Sequence, residues 1–124
     1  MRLIIQRVTK GKVSVKGKVV SEIENGLFVL VGIHRDDDIK RAEVLADKLT
    51  KLRVMKDESD KMNLTVGDVG GAMLVVSQFT LYGDTSGGNR PSFIDAARPE
   101  VARPIYERFV ERLKNNGVMV GTAR

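Results

Sequence analysis

Ser77-Gln78-Phe79-Thr80-Leu81 is the densest group of polar side chains attached to an apolar strand in this sequence, closing the run Met73-Leu74-Val75-Val76. Such a group can orient a substrate and donate hydrogen bonds to an oxygen that gains charge during a reaction. By pattern alone the same residues also read as a strand end emerging into a loop. His34, the one histidine, follows an apolar strand and precedes acids, and reads as a strand-end residue rather than a base. Cysteine is absent. The ordinary Ser-His-Asp and Cys-His arrangements are therefore excluded unless His34 serves as the base, and a zinc site lacks its ligands. Asp36-Asp37-Asp38 reads as a helix cap rather than a hard-cation site, and Gly67 to Gly71 is too short for a phosphate loop. No cofactor is expected, and any enzyme built on these residues would work without a metal, a thiol or a charge-relay triad, on a substrate that needs little activation. An aminoacyl ester is one, because its neighbouring ribose hydroxyl and terminal phosphates can supply groups the protein lacks.

The elements that must position those residues follow from periodicity. Arg2 to Val8, the alternation around Val13 and Val15, and Val19 to Ile23 read as strands, with a turn at Gly17-Lys18. Asn25-Gly26 is a hairpin signal, and Leu27 to Ile33 is apolar throughout, as in a strand buried on both faces. Ile39, Ala42, Leu45, Ala46 and Leu49 recur at helical spacing behind the aspartates, which predicts a capped helix. A short strand at Leu52 to Met55 and turns at Asp57 to Asp60 and Val69 to Gly71 follow. Ala72 to Leu81 is the strongest strand pattern, and Tyr82 to Arg90 is a glycine-rich polar loop. Pro99 opens a second helix that runs to about Asn116, with Gly117 as its stop and a bend expected at Pro104. Val118 begins a last strand. The fold class is mixed α/β: one domain over residues 1–124, with antiparallel and mixed sheets and two main helices.

At 124 residues the chain fits one domain with a core of its own. The longest apolar stretch, Gly26 to Ile33, is too short to span a bilayer, and the N-terminus lacks a signal peptide pattern. No membrane association and a cytoplasmic location are expected. Net charge is +5, and six basic residues (Arg2, Arg7, Lys10, Lys12, Lys16, Lys18) precede the first acid. That distribution suits a polyanion such as RNA, although a solvated lysine-rich strand face would read the same way.

The segment VVSQFTLYGD resembles the signature of the D-aminoacyl-tRNA deacylases, also called D-Tyr-tRNA deacylases. MRLIIQRV, GLFVLVGI and KMNLTVGDVGG before it and GNRPSF after it stand in the order this family shows, so the resemblance covers essentially the whole chain. It implies a cytoplasmic homodimer with a pocket at the subunit interface, where the terminal adenosine of tRNA places its D-aminoacyl group. The implied activity is ester hydrolysis as chiral proofreading, with glycyl-tRNA also accepted. The catalytic motif maps onto Ser77, Gln78, Phe79 and Thr80. Arg7, in the matching Q-R-V, is implied to help fix the interface pocket, against the plainer reading of an arginine in a surface salt bridge, while Arg90 and the N-terminal lysines Lys10 and Lys12 are implied to contact tRNA. Two mechanisms compete: Thr80 as nucleophile, or the substrate's ribose hydroxyl and water, with N–H groups around Gln78 and Phe79 holding the oxyanion. The second is favoured, because no base is assured near Thr80.

Two departures matter. The loop Asp84-Thr85-Ser86-Gly87-Gly88 lacks the basic residues usual before N-R-P-S-F. The family's later Asn-x-Gly-Pro turn is missing, since the three prolines follow Arg90, Arg98 and Arg103. The expectation is thus a C-terminally truncated or variant member. The alternative reading is a catalytically impaired tRNA-binding or dimerisation module without the chiral filter. A general RNA-binding sheet would need more stacking aromatics than two Tyr, four Phe and no Trp.

Overall fold

Leu27, Val29 and Val31 alternate along one strand and are each 0% exposed. The strand they belong to is the second of a four-stranded sheet, seen in a computed structural model that describes residues 1–123. The strands are β1 (Arg2–Val8), β2 (Gly11–Val15), β3 (Lys18–Ile23), β4 (Gly26–Gly32), β5 (Met55–Lys56), β6 (Met62–Leu64), β7 (Ala72–Ser77) and β8 (Met119–Ala123). Helices α1 (Ile39–Lys51) and α2 (Pro99–Asn115) complete the regular elements, with one 3₁₀ turn at Phe79–Tyr82. The sheet order is β1-β4-β7-β8, with β1 antiparallel and the other three mutually parallel. Each parallel connection needs a crossover, and α1 and α2 supply both. The mixed α/β class with two helices is as the sequence indicated.

Both helices lie on one face of the sheet. Ala42, Ala46 and Leu49 of α1 and Ile105, Phe109 and Leu113 of α2 close the core over Leu27, Val29, Met73 and Val75. On the opposite face the β2–β3 ribbon approaches Leu74, one of whose methyls lies 3.6 Å from a Cβ placed at Gly11. The remainder of that face is open: Phe28 and Leu30 are half-buried and Ile4 is 53% exposed. The strand expected to be buried on both faces is thus fully buried on one only.

Local chemistry explains the helix ends. Asp38 caps α1 by accepting the Arg41 N–H at 2.8 Å, and Asp37 accepts the His34 N–H at 2.7 Å and the Met1 ammonium at 2.8 Å. α2 runs on through Pro104 and stops before Gly117, whose φ of +88° few other residues adopt. Across the outer seam of the helix pair Arg112 grips Asp47 with two hydrogen bonds of 2.8 and 2.9 Å and reaches Glu43 at 3.1 Å. The bonds from Arg112, with one from Asn116, hold the Asp47 carboxyl at about 2. No helix of the described residues is long and apolar enough to cross a membrane.

Several boundaries differ from expectation. The turn before β3 is made by Lys16 and Gly17, both at positive φ, and Lys18 already pairs with Val15. The short strand begins at Met55, leaving Leu52 to Val54 outside it. Asn25-Gly26 is no hairpin: β3 pairs with β2, while β4 joins β1 and β7. Gly26 serves instead a close approach, since a Cβ there would lie 1.8 Å from the Ala72 carbonyl oxygen. Most important for function, β7 ends at Ser77 instead of reaching Leu81. The Gln78 N–H makes a bond to Val31 O at 2.8 Å, and the chain then curls across Gly32, where a Cβ would meet that of Leu81 at 2.8 Å. Tyr82 is therefore not part of an open loop but 6% exposed.

Candidate active site

Open sheets with parallel strands present ligand sites beyond the carboxyl ends of those strands. Here that edge carries Ser77 at the end of β7, the 3₁₀ turn, and Arg2 at the start of antiparallel β1. Ser77 and Gln78 are half-buried, whereas Phe79 and Thr80 face solvent. The Gln78 side-chain amide donates to the Thr80 hydroxyl. A helix leaves its first N–H groups without internal partners, and in this turn those belong to Phe79 and Thr80. The Gln78 N–H is taken by Val31, so it is unavailable to hold an oxyanion, contrary to the sequence-based expectation for that group.

Phe79 is 58% exposed and meets Phe93 edge-on, with ring centroids 5.2 Å apart. Phe93 also bears on the far end of the turn, 3.0 Å from a Cβ placed at Gly83. Beside Phe79 opens a groove of ≈ 520 Å³ lined by Ser77, Phe79, Pro99, Ala102, Arg103 and Tyr106. Its floor is fixed by the buried Tyr106 hydroxyl, which donates to Val75 O at 2.8 Å. The start of α2 thus helps build the site, a contribution that periodicity in α2 did not reveal. Residues that line one groove and lie over twenty positions apart carry no local pattern.

The loop after the turn is clasped by Asp84 and Ser92, whose backbones exchange bonds of 2.7 and 2.8 Å. Asp84 accepts the Ser86 N–H, which with the Ser86 side chain holds its carboxyl below the usual range. The loop thus carries a fixed negative charge at its base and exposed Arg90 near its end. His34 sits where a strand-end residue should: its Nδ1 accepts the Asp36 N–H at 3.0 Å and its ring lies edge-on to Tyr82 at 5.3 Å.

Other candidate residues stand apart. Arg7 pairs with Leu27, which pairs with Met73, whereas Ser77 pairs with Val31. Four residues of strand, about 13 Å at roughly 3.3 Å per residue, separate the two levels. Within one chain, then, Arg7 does not join Ser77 to Thr80; it borders a different groove with Thr9, Asn25 and Lys56. Lys12 is exposed on β2, and neighbouring Lys10 lies 3.4 Å from the Glu22 carboxylate. No group of three or more His, Cys, Asp or Glu side chains among the described residues is placed to hold a metal ion.

Comparison with known proteins adds a consistent picture. A family described as D-Tyr-tRNA(Tyr) deacylase matches residues 4–124. The chain is 50% identical over 122 residues to a D-aminoacyl-tRNA deacylase of Fervidobacterium nodosum, covering 98% of this chain and 82% of the relative. It is 49% identical over 124 residues to one from Clostridioides difficile, covering 100% of this chain and 83% of that one. Among solved structures, one titled c-Myc DNA Unwinding Element Binding Protein superposes with a TM-score of 0.92 at 36% identity, covering 100% of this chain and 85% of the other.

Proposed function

The chain belongs to the D-Tyr-tRNA(Tyr) deacylase family, and on that premise we propose that it hydrolyses the ester joining a D-amino acid to the terminal ribose of tRNA. Water adds to the ester carbonyl, the bond to the ribose oxygen breaks, that oxygen takes a proton, and free amino acid and tRNA leave. Glycyl-tRNA is a second substrate, and the role is chiral proofreading in the cytoplasm during translation. The observation that carries this reading is the polar turn at the end of β7. The turn begins at Phe79, which with Ser77 lines a groove large enough for a nucleoside-sized group, and its first N–H groups, those of Phe79 and Thr80, have no partner within the turn. Such donors, aimed where charge develops, need no metal, thiol or triad.

Ser77 and Gln78 orient the ester, Gln78 through its hold on Thr80. Arg7 acts in a two-chain site. Two copies packed through the open face bearing Ile4, Phe28 and Leu30, about a twofold axis lying in that face and perpendicular to the strands, would run their strands in opposite directions. The sheet edge bearing Arg7 in one would then lie towards the edge bearing Ser77 in the other. The half-covered apolar face supports this homodimer.

The deciding experiment incubates the purified chain with D-aminoacyl-, glycyl- and L-aminoacyl-tRNA. Release from the first two and sparing of the third are expected; failure to release a D-amino acid would overturn the reading. tRNA affinity should also fall steeply with salt, because lysine contacts to phosphate release counterions. Neutralising Lys10, Lys12 and Lys16 together should flatten the slope of log affinity against log salt by roughly 2, short of the full three contacts because Glu22 already offsets Lys10. An unchanged slope would remove the β2–β3 ribbon from the interface.

A further inference from the structure

We propose that Arg2 is a positioning residue of the hydrolytic site, tying down the 3₁₀ turn that presents the Phe79 and Thr80 N–H groups. The inference rests on the functional reading above and adds a residue to it. Arg2 begins β1 opposite Gly32, so its backbone lies at the level of the turn. Its Nη1 donates to Leu81 O at 2.9 Å, and its guanidinium carbon stands 4.5 Å over the centre of the Tyr82 ring. No carboxylate pairs with Arg2 among the described residues, so its specific contacts both go to the end of the turn.

The turn needs such a tie. A single 3₁₀ turn has poorer hydrogen-bond geometry than an α-helix and leaves its last carbonyls without partners. One of its own bonds, Leu81 N–H to Gln78 O, is long at 3.3 Å. A cation at the carbonyl end complements both the orphan oxygen and the local dipole. Tyr82 gives the guanidinium a rigid platform, being 6% exposed and packed edge-on against His34. Gly32 lets Leu81 approach the sheet at all, and Arg2 then holds it there. A shift of the turn would move the oxyanion donors away from the carbonyl they must reach, which lowers the rate of the chemical step more than the affinity for tRNA.

The test compares the parent with Arg2→Ala, Arg2→Lys and Tyr82→Leu under single-turnover conditions, together with tRNA affinity and amide hydrogen exchange over Gln78 to Gly83. Arg2→Ala should slow hydrolysis about five- to tenfold with tRNA affinity within about twofold of the parent. Exchange in the turn should quicken. Arg2→Lys should recover part of the rate, since an ammonium can reach the carbonyl but cannot stack as a plane. Tyr82→Leu added to Arg2→Ala should slow the reaction less than Tyr82→Leu alone. A parental rate and parental exchange in Arg2→Ala would overturn the proposal, as would a loss confined to tRNA affinity, which would make Arg2 a phosphate contact. A parent inactive on D-aminoacyl-tRNA sinks the earlier functional reading instead, and hydrogen exchange still decides whether Arg2 holds the turn.

Discussion

Gly26→Ala is expected to remove a large share of the stability of the fold. The added methyl would lie 1.8 Å from Ala72 O and 2.8 Å from both the carbonyl carbon and the nitrogen of the same residue. These are backbone atoms of the first pair in the parallel β4–β7 ladder, and Ala72 N–H also bonds Asn25 O at 3.1 Å. Overpacking a side chain usually costs about 1–3 kcal/mol because the neighbour turns aside. A ladder carbonyl cannot turn aside without separating the two central strands, so a cost above about 3 kcal/mol is expected against a total stability of roughly 5–15 kcal/mol. Gly87→Ala is the control: nothing lies within 4 Å of its Cβ position, and a change inside roughly 0.5 kcal/mol should follow. Equal urea midpoints for Gly26→Ala and the parent would mean that β4 and β7 do not pair in this register.

The same glycine shows where reading the sequence stops working. A glycine needed for close approach is indistinguishable, residue by residue, from one needed for a turn, and Asn25 beside it completed the hairpin pattern. The true reason for it lies at Ala72, 46 positions away. What was legible is what local rules control. α1 follows from Asp38 and the spacing of Ala42, Ala46 and Leu49, and α2 from Pro99 at its start and Gly117 at its end. The end of β7 was misplaced for the opposite reason: Phe79, Thr80 and Leu81 suit a strand by composition, and Gly32 on another strand is what lets them curl. The motif marks the polar segment from Ser77 to Thr80, yet it could not say which of its N–H groups are free. That depends on register, which assigns the Gln78 N–H to Val31. Nor could it say that Arg7 lies a strand length from Ser77 within the chain, because a motif match carries no information about distance along a sheet.

Removing the terminal ribose 2′-hydroxyl from the substrate is expected to slow hydrolysis far more than removing the hydroxyl of Thr80. If Thr80 attacked the ester, it would need a partner to take its proton. Its partner among the described residues is the Gln78 side-chain amide, which donates to the hydroxyl. Turning that amide over would not help, since an amide oxygen accepts a hydrogen bond but is no base near neutral pH. The hydroxyl therefore stays a weak nucleophile. Its remaining use is to orient Gln78 and the bound ester, and losing one such hydrogen bond is worth about 0.5–1.5 kcal/mol, roughly threefold to tenfold in rate. The ribose hydroxyl beside the ester is placed by the substrate itself to orient water or pass a proton to the leaving oxygen, a contribution of about 10²- to 10⁴-fold. Thr80→Ala should thus keep at least about a tenth of the parental rate, while 2′-deoxyadenosine-terminated substrate should lose about a hundredfold or more. Single-turnover rates with both changes, alone and combined, separate the two mechanisms. A covalent amino acid trapped on Thr80, or loss of all activity in Thr80→Ala with tRNA binding intact, would make threonine the nucleophile and end the substrate-assisted account.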